Sequence, residues 1–175
     1  AIGKMDTAYF NPEAAEAAEW TAQQLGLADI RFLESLPLVI EKDDFTLVHG
    51  SPRDPIWEYV LSPAEAAEGL KHFQTRYCLI GHSHLALLFE CGRNCTAREL
   101  EGESLIKLGE KRLILNPGSV GQPRNYDPRA HYAIYDSGEG TVAFHRVDYD
   151  ISLTQQKMLE AGLPPWLAHR LAHGR

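Results

Sequence analysis

The sequence predicts a layered, sheet-rich fold of the α/β (α+β) class, and three observations predict it. Short apolar runs such as Phe45–Val48, Tyr77–Ile80 and Arg112–Leu115 recur through the middle of the chain, bounded by Gly, Pro, Asn or Asp. Helical patterns are confined to the two ends and to one segment between the first two of these runs. The resulting order is helices, strand–helix–strand, an antiparallel run of strands, and helices again, with polar loops at the strand ends. No internal repeat, low-complexity segment or interdomain linker interrupts it, so residues 1–175 read as one domain.

Asn11-Pro12-Glu13 opens the first helix, with Asn as cap, Pro at the first helical position and an early acid. That helix runs past Trp20 to Leu25 and stops at Gly26. A second spans Asp29 to Ser35 and is closed by Pro37. Leu38–Glu41 and Phe45–Val48 form a hairpin around Lys42-Asp43-Asp44. Ser62-Pro63-Ala64-Glu65 is a helix start with a capping box, and that helix reaches about Gln74. Strands follow at Tyr77–Ile80, Leu85–Glu90, Ala97–Leu100, Ser104–Leu108 and Arg112–Leu115. His131–Asp136 and Thr141–Val147 pair as a hairpin around Ser137-Gly138-Glu139-Gly140. Ile151–Ala161 and Pro165–Ala172 are helical, separated by Gly162-Leu163-Pro164.

The composition is that of an ordinary globular protein, with 44% hydrophobic and 23% charged residues. A net charge of −7 argues against nonspecific nucleic-acid binding, which needs a basic face. No apolar run approaches a membrane span. Cys78, Cys91 and Cys95 are odd in number and lack framework spacing, so they read as reduced thiols of a cytoplasmic protein. Cys91 and Cys95 lack the second cysteine pair of a zinc site and read as residues of a strand and its turn.

The chemistry-bearing residues sit at strand ends. Phe45–Val48 runs into His49-Gly50, and Tyr77–Ile80 runs into Gly81-His82-Ser83-His84, 33 residues later by the first histidine of each. Imidazole is the commonest metal-ligating side chain. Histidines at the ends of two core strands therefore read as a metal site. His82 and His84, two apart in a turn, can point to two adjacent cations, the arrangement of a two-metal hydrolase. Such centres also use hard oxygen ligands. Asp54 and Glu58, the acids near these loops, sit in no ligand-like motif.

Three motifs, His49-Gly50-Ser51-Pro52, Gly81-His82-Ser83-His84 and Asn116-Pro117-Gly118-Ser119-Val120-Gly121, resemble the last motifs of the calcineurin-like metallophosphoesterases. The resemblance is to the small bacterial and archaeal phosphodiesterase-type group and covers about residues 38 to 148. It implies a sandwich of two mixed β-sheets flanked by helices. It implies hydrolysis of a phosphomonoester or phosphodiester, nucleotides included, by a metal-activated water at a two-metal site. By the resemblance, His49 and His82 are ligands of one metal and His84 of the other, the pair being drawn from Mn, Fe, Zn, Ni and Co. The family's Asp-x-His, Gly-Asp and Gly-Asn-His-Asp motifs are absent. The opening Ala-Ile-Gly-Lys is similar to the stretch just after the last of these motifs in the family. The chain is therefore expected to be the C-terminal portion of a longer enzyme, without its N-terminal βαβ part, and weak or inactive alone. No general acid or other catalytic side chain is assigned within it. A noncatalytic scaffold of the same fold is the alternative.

Two arginines are candidate substrate contacts. Arg124 ends the Asn116–Arg124 loop, and Arg53 lies in the loop after His49; either can fork a phosphate. Trp57 and Tyr59 can stack a nucleobase, but aromatic packing into the core is the expectation adopted. His72, His131, His145, His169 and His173 read as ordinary histidines. The expected partner is a small phosphoester or nucleotide, with no membrane and no nonspecific nucleic acid. The oligomeric state is left open, a homo-oligomer included.

Overall fold

A computed structural model describes all 175 residues. In chain order the elements are helices α1 (Pro12–Gln24) and α2 (Leu27–Ser35), strands β1 (Val39–Lys42) and β2 (Phe45–Val48), and helix α3 (Pro63–Gly69). Strands β3 (Tyr77–Leu79), β4 (Ala86–Cys91), β5 (Cys95–Glu99), β6 (Ser104–Lys107), β7 (Arg112–Pro117), β8 (Ala130–Asp136) and β9 (Thr141–Val147) follow. Helices α4 (Ile151–Glu160) and α5 (Pro165–His169) complete the set. The chain forms two compact units, one of residues 1–37 with 150–173, the other of residues 38–149 with 174–175.

The first unit is helical. Asn11 caps α1 by accepting from the Ala14 N–H at 2.8 Å. Helix α2 begins two residues before the sequence suggests, because the Asp29 carboxylate accepts from the Gly26 N–H at 2.9 Å and so fixes its first turn. Asp150 caps α4 through the Leu153 N–H at 2.8 Å. Gln155 of α4 donates to the Ala168 carbonyl of α5 at 3.0 Å.

The second unit is the expected sandwich of two sheets. The larger is mixed, in the order β1-β2-β3-β7-β4-β5; the β2–β3 and β3–β7 pairs are parallel and the others antiparallel. The smaller is antiparallel, in the order β6-β9-β8. Alternation along the strands builds two cores. Phe45, Tyr77, Leu88, Leu113 and Leu115 face Ile106, Val142 and Phe144 of the smaller sheet. Cys78, Leu87, Phe89 and Ile114 point the other way and pack with Ala66 of α3, Val60 and Phe73. This topology positions the site. Three parallel neighbours end at one edge, so the residues after β2, after β3 and at the end of β7 converge there, as ligand sites do in α/β sheets.

Two expectations need correction. Helix α3 stops at Gly69 and tightens into a 3-10 turn over Leu70–His72 instead of continuing to Gln74. The Arg112 guanidinium ends it by donating to the carbonyls of Leu70 at 3.0 Å and Phe73 at 2.6 Å. Cys91 and Cys95 are joined in a disulfide rather than reduced. The β4–β5 register sets them opposite each other, with Cα atoms 4.1 Å apart. Cys78 alone is free, and burial pushes its thiol up to about 12.

The loop between β7 and β8 is held by an ionic knot. Asp127 accepts from the Arg129 N–H at 3.1 Å and its Nε at 2.9 Å, and it also pairs with Arg146. Arg146 reaches on to the Leu100 carbonyl at 2.8 Å. Its side chain is only 8% exposed and that of Asp127 16%, so the pair is screened little by water. The arginines hold the Asp127 carboxyl well below the usual carboxylate range. A carboxyl that ionises more readily folded than unfolded stabilises fully above the ordinary Asp pKa of about 3.9, and that contribution fades as pH falls below it. Asp127→Asn is expected to lower unfolding stability by on the order of 3 kcal/mol at pH 7 in urea titrations. The variant should also lose less stability than the parent on going from pH 5 to pH 3.

Candidate functional site

Two turns and one loop meet where β2, β3 and β7 end. The first is Gly50–Glu58. The Gly50 N–H donates to the Pro55 carbonyl at 2.8 Å and the Ser51 N–H to the Asp54 carbonyl at 2.9 Å. Only glycine fits at position 50, because a Cβ there would lie 2.7 Å from the Asp54 oxygen. Ser51 is fully buried; its hydroxyl donates to Glu58 and accepts from the N–H groups of Arg53 and Asp54 at 3.1 and 3.0 Å. Glu58 is in turn ion-paired with Arg53.

The second turn is Gly81–His84. The Gly81 N–H donates to the His49 carbonyl at 2.8 Å, extending the β2–β3 pairing into the turn. His82 and His84 then adopt left-handed conformations, with φ of 60° and 62°. Left-handed backbone is uncommon outside glycine, so surrounding contacts must enforce it here. Asn116, at the end of β7, supplies them. Its buried amide donates to the Gly81 carbonyl at 2.6 Å and to the Ser83 hydroxyl at 2.9 Å, while its oxygen accepts from the Gly118 N–H at 3.0 Å. In sequence Asn116 stands out only as the first residue of the Asn116–Gly121 motif, with no role assigned to its side chain. Ser83 and Ser51, both buried, carry no signal in sequence beyond their place in the motifs.

The turn aims its two histidines differently. His82 Nδ1 lies 3.0 Å from His49 Nε2. Tyr59 stacks on its ring with centroids 4.1 Å apart. His84 Nδ1 instead donates to the Gln122 carbonyl at 2.7 Å, which leaves Nε2 as its lone-pair nitrogen. Burial is the chief cause lowering the pKa of all three imidazoles, and Arg124 lowers His82 and His84 further. A backbone hydrogen bond to Trp57 and the charge of Asp54 oppose this at His82, and the Gln122 carbonyl opposes it at His84. The histidines are thus neutral at pH 7, the form in which imidazole ligates a metal.

This arrangement fits a divalent cation in part. Nitrogens bound at about 2.1 Å to one tetrahedral cation lie about 3.4 Å apart; His49 Nε2 and His82 Nδ1, which share a hydrogen bond at 3.0 Å, would need to separate by only a few tenths of an ångström. Their imidazoles suit zinc, iron, nickel or cobalt. No three His, Cys, Asp or Glu side chains converge on one point, so His84 stands apart from the pair. Arg124 is brought to the histidines by the loop. Its Nη2 donates to Gln122 Oε1 at 3.2 Å, while its Nε is buried without a partner. Arg53, by contrast, is bound to Glu58 through Nε at 3.2 Å and through Nη2. Trp57 and Tyr59 are 43% and 41% exposed, so the expectation that they pack into the core does not hold.

Comparison with known proteins gives the family and the fold. The profile of the calcineurin-like phosphoesterase superfamily domain matches residues 3–140. An uncharacterized protein of Methanocaldococcus jannaschii is 36% identical over 99% of this chain and 71% of its own length. The crystal structure of a metallophosphoesterase from Sphaerobacter thermophilus superposes with a TM-score of 0.89 at 43% identity, over 99% of this chain and 72% of that one. A hypothetical protein of Pyrococcus horikoshii OT3 shares the fold, with a TM-score of 0.73 at 18% identity over all of this chain and 68% of its own.

His131 sits beneath the loop after β7. Its ring is buried with both nitrogens unpartnered, and a Cβ on Gly118 would lie 2.5 Å from Nδ1. Gly118 also has φ of 88°, whereas Gly121 in the same loop has open space and no left-handed backbone. Gly118→Ala is expected to lower the melting temperature by several degrees, while Gly121→Ala shifts it by less than about one degree. Thermal denaturation of the two variants side by side checks this.

Proposed function

The chain belongs to the calcineurin-like phosphoesterase superfamily, and we propose that it hydrolyses a phosphomonoester or phosphodiester at the edge where β2, β3 and β7 end. One observation carries the reading beyond the family: an arginine without a carboxylate partner, Arg124, stands near two neutral imidazoles, His82 and His84, with a buried Nε donor unmet. An unmet buried donor on a cation calls for an anion.

In this reading His49 and His82 share one divalent cation and His84 ligates a second. Cations bound there supply Lewis-acid polarisation and a water nucleophile at neutral pH. The chain's own side chains do the rest. The Asn116 amide keeps the His82–His84 turn in its left-handed form, so the imidazoles hold their directions through turnover. The Gln122 carbonyl fixes His84 with its Nδ1 protonated. Arg124 forks the phosphate and neutralises charge that builds on its oxygens in the transition state. Arg53 is an equal candidate by sequence. Its ion pair with Glu58 favours a different role, bracing the loop after His49.

The test uses a nitrophenyl phosphodiester with added manganese and measures bound metal in parallel. His82→Ala is expected to lose metal and rate together; unchanged metal content removes His82 from the ligand set. Arg124→Ala is expected to keep its metal and to lose about 10- to 100-fold in kcat/KM, the loss of one charge-assisted phosphate contact. An unchanged kcat/KM sinks the phosphate role of Arg124.

A further inference from the structure

We propose that a cleft between the two sheets, at the opposite end of the strands from the histidines, binds a small organic carboxylate with an apolar body. The cleft has a volume of about 540 Å3 and is lined from β4, β5, β6 and the turn into β7. Small-molecule sites usually span about 300–1,000 Å3, so it has room for such a ligand. Strand register sets its place. Leu113 lies near the start of β7, whose far end carries Asn116, and Glu90 of β4 lies opposite Leu113.

Register also puts the side chains of one wall on one face. Arg98 of β5 is opposite Leu88, and Leu88 and Glu90 are two apart on β4. Leu88 and Leu113 belong to the core that meets Ile106 of the smaller sheet. Arg98 and Glu90 therefore point the same way, into the mouth of the sandwich. The floor of the cleft is apolar and its rim is charged.

The charge balance of the rim selects the occupant. Glu90 pairs with Lys111 at 3.5 Å, and Glu110 pairs with Arg76 at 3.6 Å. Lys107 donates to the Glu139 carbonyl, which carries no charge. Arg98 is exposed and makes no side-chain hydrogen bond or ion pair. In a chain of net charge −7, two cations are thus left without a carboxylate above an apolar floor. An inward-facing charge on an edge strand such as β5 also discourages pairing between sheet edges. That role accounts for Arg98 alone and for neither the cleft nor Lys107. A guanidinium takes a carboxylate through two parallel hydrogen bonds. The hydrocarbon part of the ligand then covers Leu88, Leu113 and Ile106, so charge and chain are recognised together.

Proton–nitrogen correlation NMR tests this by titration with sodium octanoate, sodium acetate, which has the charge without the chain, and 1-octanol, which has the chain without the charge. Octanoate should shift the amides of residues 88–90, 96–98 and 105–111 and leave those of residues 82–84 in place. It should bind at least about 10-fold more tightly than acetate or octanol. Arg98→Gln should weaken octanoate by about 10-fold and leave octanol unchanged, with the rest of the spectrum that of the parent. Absence of shifts in the cleft, shifts centred on residues 82–84, equal affinity for octanoate and acetate, or an octanoate affinity indifferent to Arg98→Gln overturns the proposal. The cleft stands apart from the histidines, so the phosphoester reading is independent of each of these results.

Discussion

One buried side chain, the amide of Asn116, ties the site together. It spans three points at once: the Gly81 carbonyl, the Ser83 hydroxyl and the Gly118 N–H. A buried amide with its bonds made is stabilising, and losing those bonds costs the desolvation of every orphaned group. The turn that carries His82 and His84 and the loop that carries Arg124 therefore hold their shapes jointly. Two left-handed histidines within one turn are unfavourable alone, and they persist because Asn116 over-determines the backbone around them.

The parallel strands make that span possible. Pairing of β2 with β3 and of β3 with β7 brings their carboxyl ends to one edge, so residues far apart in sequence meet without a long loop. Behind this edge the strands are fully engaged. Leu113 and Leu115 pack toward the smaller sheet and Ile114 toward α3. A shift in strand register would move the wrong side chains into both cores, and the site inherits its precision from that penalty.

Much of this is legible in the chain because it is local. Apolar runs ending in His-Gly or Gly-His-x-His announce strand ends, and Asn11 and Ser62 announce helix starts within a few residues of themselves. The features that escape a reading of the chain depend on contacts across the sequence. Arg112 shortens α3 from some forty residues away, and no helix propensity encodes that. Cys91 and Cys95 look unremarkable until a hairpin register opposes them. Trp57 and Tyr59 have the composition of core residues, yet the Ser51–Glu58–Arg53 network and Val60 claim the inward positions and leave them outside. In each case a specific contact overrides a preference read from residue type.

The electrostatics of the site come from the same scaffold. The protein is acidic overall, yet the two carboxylates of the loop after His49 are engaged locally: Glu58 by Ser51 and Arg53, and Asp54 in capping the Ile56 and Trp57 N–H groups at 3.2 and 3.1 Å. Asp127, the acid three residues beyond Arg124, is engaged by Arg129 and Arg146. Diverting these acids leaves Arg124 without a carboxylate partner near His82 and His84, two imidazoles that burial keeps neutral. A centre with one unpaired guanidinium and neutral nitrogen donors favours an anion together with a cation, and a phosphoester on a divalent metal supplies both. The pairs that engage Glu58 and Asp127 thus act on the chemistry from outside the site, by keeping those carboxylates from Arg124.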